Sequence, residues 1–172
     1  MKLFAIYIGG EFPGANIELH DMRFVVAQSI ADTYDDLRRQ WWGTPKSLHV
    51  DCWAELSHVD GHDVELRPEP FAGPEKLYYV NLGGYDSSEF LEQHKNVFIV
   101  ATSVPEAKKR AIKEARHWTE GHRDEMYEAE QIFSLSDVGN ESKLYVHLTR
   151  SVEARPLSFT CDYTPVRKPA KF

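Results

Sequence analysis

The sequence predicts an α+β protein made of two tandem ββαββ repeats, each a sheet covered by one helix, packed as a pseudo-symmetric pair. The first observation is internal repetition. Residues 2–32 match residues 76–106 at a constant offset of 74 with no gap, and ten of 31 positions are identical, where unrelated stretches would share about two. The second is that each copy runs through the same pattern of apolar strand, Gly-Gly, polar loop, strand and capped helix. The third is a proline-rich stretch between the copies. The organisation expected is a first repeat over 1–67, a Pro-rich linker over 68–75, a second repeat over 76–150, and a C-terminal strand and tail over 151–172.

Leu3 to Ile8 is apolar on both faces of a period-2 pattern, as in a strand covered on each side. Gly9 and Gly10 are expected to end it in a turn with positive φ, and Pro13, Gly14 and Asn16 continue the loop. Arg23 to Ala27 reads as a second buried strand. Ser29 with Asp32, and Ser103 with Glu106 in the second copy, have the spacing of a capping box. Ile30, Tyr34, Leu37 and Trp41 then form one helical stripe, which Gly43 and Pro45 stop near Trp42.

Leu48 to Leu56 alternates cleanly, with Val50, Cys52 and Ala54 on one face and His49, Asp51 and Trp53 on the other. Asp60-Gly61 signals a type I′ turn into a return strand carrying Val64 and Leu66. The second copy predicts strands over 77–82, 97–101, about 127–135 and 144–149, and a helix from Val104 to about Thr119. Leu157, Phe159, Cys161 and Tyr163 alternate as one more strand, expected to cover a sheet edge. Residues 166–172 read as a frayed basic tail.

Composition is that of an ordinary globular protein: 172 residues, 42% hydrophobic and 27% charged. A net charge of -7 argues against nucleic acid, since phosphate binding is driven by a basic face. The apolar N-terminal run is too short for a signal segment, and no stretch approaches the roughly 20 apolar residues of a membrane span. Two cysteines without CxxC spacing suggest neither a disulfide framework nor a structural zinc site, and a reducing cytoplasm is expected.

A unit of strand, Gly-Gly, a PGANIELHD loop, a strand, a capped helix and GTPKSLHVDCW with a closing hairpin resembles the family catalogued as domain of unknown function 1543. The likeness is strongest over residues 3–66, carried by Gly9, Gly10, Pro13, Gly14, Asn16, Glu18, His20 and Asp21. The family's copies occur singly or in pairs, so the resemblance implies the repeat fold; it carries no activity. In the second copy Ser87, Ser88, Phe90 and Lys95 replace Pro13, Gly14, Asn16 and Asp21.

Candidate site residues follow from spacing. Glu18 and His20 at i, i+2 share a face of extended chain, and so do His49 and Asp51 on another strand. Two imidazoles and two carboxylates suit zinc, manganese or iron, so a divalent metal is the candidate cofactor at Glu18, His20, His49 and Asp51. The plainer alternative is that these groups tie the loop to the sheet through backbone hydrogen bonds. The second copy offers Glu92, His94, His122 and Asp124. Candidate ligand contacts are Gly9, Gly10, Glu18, His20 and Trp53, with Gly83, Gly84, Glu92 and His94 in the second copy. GxGxxG, GxxxxGK[ST] and GxSxG are all absent, and Cys52 on an apolar strand face reads as an inert thiol.

The leading functional reading is a non-catalytic module that binds a small molecule or a protein through the loops at the Gly-Gly ends. A metal-dependent hydrolase using the Glu/His/His/Asp cluster is the alternative. A homo-oligomeric structural protein is the third.

Overall fold

The structure is a computed structural model that describes residues 1–85, 88–115, 128–136, 138, 143–153 and 155–167. Among them the fold is mixed α+β, mostly strands in three sheets with two short α-helices. The chain divides into two compact units, one of residues 1–57, 138–143 and 156–172, the other of 58–137 and 144–155.

The first unit is one antiparallel sheet. β1 (Lys2–Gly10) lies between β2 (Leu19–Ala27) and β3 (His49–Glu55), and β10 (Thr160–Pro165) closes the edge of β3. One sheet face carries Phe4, Ile6, Ile8, Val25, Ala27 and Val50, which pack with Leu37 and Trp41 from the helical layer. That layer is a 3-10 turn over Ala31–Thr33 followed by α1 (Tyr34–Gln40). Ser29 N–H and Oγ–H both donate to Asp32 Oδ2, at 3.0 and 2.7 Å, so the expected acidic partner is in place. The helix stops at Gln40, two residues short of expectation, because Trp41 turns extended to bury its ring and donates Nε1–H to Thr44 O.

The second unit holds two three-stranded sheets. In one, β6 (Lys76–Tyr85) lies between β7 (Glu92–Ala101) and β8 (Glu128–Ser134), with α2 (Val104–Ala115) packed through Ala107, Ala111 and Ile112. Small alanines on α2 let helix and sheet approach closely. In the other, β4 (His58–Val59), β5 (His62–Arg67) and β9 (Tyr145–Arg150) pair antiparallel. The turn between β4 and β5 has φ of 51° at Asp60 and 73° at Gly61, the type I′ geometry expected of Asp-Gly.

The two larger sheets repeat each other's register. Gly9 faces His20 and Gly83 faces His94; β1 against β3 slips between Tyr7 and Ile8, and β6 against β8 slips between Asn81 and Leu82. Every one of these positions differs by 74.

Four expectations are corrected. Gly9-Gly10 and Gly83-Gly84 are not turns but lie in β1 and β6, without positive φ; at Gly9 and Gly10 the physical reason is space, since a Cβ on either would run into packed side chains. The closing strand of each predicted ββαββ unit is not in its own sheet: β5 pairs with β9, Val64 opposite Leu148. Cys52 is not a free thiol but is bonded to Cys161, 109 residues away. Trp53 does not share a face with His49: the slip at Asp51 reverses the alternation, and Trp53 packs edge-on to Phe4 at 5.9 Å on the core side.

Candidate functional site

Glu18, His20, His49 and Asp51 meet above Gly9, on the sheet face away from α1. The register builds this meeting, since Gly9 on the central strand faces His20 on one neighbour and His49 on the other. Asp51 is the extra residue where β3 bulges past β1, and the bulge is what aims its carboxylate at the imidazoles. Glu18 reaches in from the loop just before β2.

His49 Nε2 lies 3.2 Å from Glu18 Oε1 and 3.3 Å from Asp51 Oδ1, and His20 Nε2 lies 3.4 Å from Asp51 Oδ2. One ligand atom from each of Glu18, His20 and His49 falls within 4.8 Å of the others. His49 is buried, its side chain 2% exposed, whereas those of Glu18 and His20 are 42% and 36% exposed. The cluster is thus rooted in protein on one side and open on the other.

Two of its atoms are unsatisfied. His49 Nε2 and Asp51 Oδ2 are buried and lack a hydrogen-bond partner among the described residues; the contacts above have ion-pair distances without hydrogen-bond geometry. Buried polar atoms normally find partners. The other ring nitrogen of His49 is 2.8 Å from Ser47 O, a carbonyl that only accepts, so Nδ1 carries its hydrogen there. Nε2 faces two carboxylates without a hydrogen-bond partner among the described residues, an arrangement that a bound cation would complete.

Gly9 makes the cluster possible. A Cβ built there would lie 2.7 Å from His49 Nε2, 2.8 Å from His20 Cδ2 and 2.9 Å from Asp51 Oδ2. Gly10 serves the opposite face, where a Cβ would come 2.6 Å from Trp41 Cζ2.

Two tyrosines frame the imidazoles. Tyr7 stacks on His20, centroids 5.2 Å apart and rings 3° from parallel, and burial, then the carboxylates of Asp51 and Asp21, push its hydroxyl pKa up. Tyr163 of β10 lies on His49 with centroids 4.4 Å apart. It also walls a groove of about 750 Å³ with Trp41, Leu48 and Val166, rimmed by Lys46 and Arg167. The sequence pattern marks neither tyrosine as a site residue; Tyr163 figures in it only as a member of the alternating C-terminal strand, two places after Cys161.

The predicted sites thus divide. Gly9, Glu18, His20, His49 and Asp51 come together; Gly10 serves the core side and Trp53 packs with the core. In the second unit Glu92 Oε2 is 3.9 Å from His94 Nε2. His122 and Asp124 lie outside the described residues, and the backbone register sets Glu128, not a histidine, opposite Gly83.

The fold and site define an α+β protein with an antiparallel sheet carrying a His/carboxylate cluster over a glycine. The chain belongs to the family described as Domain of Unknown Function (DUF1543), whose model matches residues 15–66. It is also similar to the crystal structure of a protein Il1583 from Idiomarina loihiensis, at 34% identity and a TM-score of 0.74, over 98% of this chain and 99% of that one. No curated protein matches. Among the described residues, no helix is long and apolar enough to cross a membrane.

Proposed function

We propose that the protein binds a divalent transition metal, zinc, manganese or iron, through Glu18, His20, His49 and Asp51, as a module for a small anionic ligand that completes the metal's coordination. The reading rests on the unpartnered, buried Nε2 of His49, whose ring is oriented by Ser47 O as in metal-bound histidines. Two imidazoles and two carboxylates match the donor preferences of these ions. The exposure of Glu18 and His20 favours an approach to the metal from solvent.

A hydrolase is the second reading. A metal-bound water on the open side would be its nucleophile. What favours the binding module is that all four carboxylate and imidazole groups of the cluster serve as ligands in this reading, which leaves none of them as a general acid or base.

The finer architecture is part of the proposal. The shared registers and the shared slip support descent of both larger sheets from one duplicated module. Glu128 stands in the second copy at the register that His49 holds in the first. A cytoplasmic setting, proposed from a sequence with only two cysteines, makes the Cys52–Cys161 bond a reversible one.

The test is metal analysis of protein purified without chelator, with melting scans in zinc, manganese and iron(II). Ligand at a hundred times Kd stabilises the fold by about 2.7 kcal/mol. Wild type should retain metal and melt higher with it, and His49→Gln and Glu18→Gln should do neither. Absence of bound metal together with an unmoved Tm in all three ions would remove the proposal.

A further inference from the structure

We infer that the Cys52–Cys161 disulfide is a redox latch on the His49 cluster, acting through Tyr163; as regulation of metal binding, this rests on the metal reading above. Cys52 directly follows Asp51 in β3 and faces Cys161 in β10. The pairing resumes only at Thr164 opposite Val50, so Asp162 and Tyr163 sit in an irregular loop of the strand, and from it the Tyr163 ring covers His49.

β10 behaves as a strap pinned at two ends. At its C-terminal end Val166 is buried in the core and donates its N–H to Leu48 O at 2.9 Å, and Arg38 Nη1 donates to Arg167 O. At the other end the disulfide is the covalent pin, next to the backbone pairing of Thr160 with Trp53. Between them the strand is mostly exposed and buries little, and Pro165 has no N–H to give the ladder. Tyr163 stands between the pins, so its seat on His49 depends on both.

Cys161 is exposed and Cys52 half-buried, so a dithiol reductant reaches Cys161 first. Its thiolate attacks Cys161 Sγ, the Sγ–Sγ bond breaks, and Cys52 leaves as a thiolate that takes up a proton. The second thiol of the reductant then displaces Cys161, which is protonated in turn. The dithiol ends as a disulfide, having delivered two electrons and two protons. Residues 160–163 are thereby unpinned, Tyr163 leaves His49, and the imidazole keeps its hydrogen bond to Ser47 O but loses the ring packed on its face. Metal affinity falls by about tenfold, the size of effect that loss of an orienting neighbour has on a metal site.

Two measurements on the full chain read this. The first is acylation of histidines by diethyl pyrocarbonate in metal-free protein, followed by peptide mass spectrometry. Oxidised protein should be modified at His20 and protected at His49; reduced protein and Cys161→Ser should be modified at both. Tyr163→Ala, which keeps the disulfide, should expose His49 without reductant and guards against a fold defect in Cys161→Ser. The second is cobalt(II) titration by absorbance, where Kd should rise about tenfold in Cys161→Ser and in Tyr163→Ala.

Equal protection of His49 in oxidised and reduced protein overturns the latch, whatever cobalt does. Opening of His49 with equal cobalt Kd in both forms overturns its control of the metal. Opening with no cobalt bound by either form overturns the metal reading and leaves the latch on His49 standing.

Discussion

Gly9 and His49 compete for one volume: a Cβ on Gly9 would stand 2.7 Å from Nε2 of the imidazole. The same Cβ would also crowd His20 and Asp51, so alanine here pushes apart the groups whose meeting defines the cluster. Gly9→Ala is expected to cost about 1–3 kcal/mol of stability from overpacking and to abolish metal retention. Urea melts with metal analysis check it. A Gly9→Ala protein that keeps metal at wild-type affinity would show that the cluster is not built over this glycine.

Gly10 is the control on the other face. Its Cβ would meet Trp41 Cζ2 at 2.6 Å and Ser47 Oγ at 2.9 Å. Gly10→Ala should destabilise by a similar 1–3 kcal/mol, roughly, through the Trp41 packing. Ser47 also supplies the carbonyl that orients His49, so a modest loss of metal affinity is expected, well short of that in Gly9→Ala. If Gly10→Ala lost metal more completely than Gly9→Ala, the assignment of the two faces would be wrong.

How much of this the sequence carried depends on the range of each signal. The i, i+2 spacing of Glu18 with His20 and the repeat at 74 were legible, because local alternation and self-similarity are written in the chain itself. Trp53 was misread because a bulge leaves no local mark: alternation puts it beside His49, and one extra residue at Asp51 sends it to the core. The Gly pairs were misread because glycine serves both turns and close approach, and only the neighbours decide which. The partner of β5 and the partner of Cys52 are long-range facts. Alternation identifies a strand without saying what it pairs with, and two cysteines 109 residues apart carry no spacing signature.

Asp60 joins the β4–β5 turn to the neighbouring elements of its own unit. Its carboxylate accepts two hydrogen bonds from Arg110 Nη2, at 2.6 and 2.7 Å, and the N–H of Val100 at 2.8 Å, while its backbone sits at φ 51°. Asp60→Ala removes the acceptor and places a Cβ without a compensating polar group in the left-handed region, at an expected cost of about 2–4 kcal/mol. Asp60→Gly removes the same acceptor but relieves the backbone, and should be less harmful than Asp60→Ala by about 1 kcal/mol. Chemical denaturation of both variants checks the order; equal losses would mean that backbone conformation contributes nothing here.

Asp63 supplies a pH dependence of stability with a definite sign. His58 Nε2 accepts the N–H of Arg155 at 3.3 Å, so the ring hydrogen is on Nδ1, which donates to Asp63 Oδ1 at 3.0 Å; Arg155 Nη2 donates to the same oxygen at 2.6 Å. The hydrogen bond from His58, and then the Arg155 charge, hold the carboxyl below its ordinary range. A carboxyl depressed in the folded state binds fewer protons there than in the unfolded chain. Its contribution is therefore present above the unfolded pKa and disappears as pH falls through the folded one. The Tm gap between wild type and Asp63→Asn should be constant from about pH 7 to about pH 5 and should close below that. A gap that stays the same down to about pH 2 would mean that the Asp63 charge does not stabilise the joining of β4 to β5.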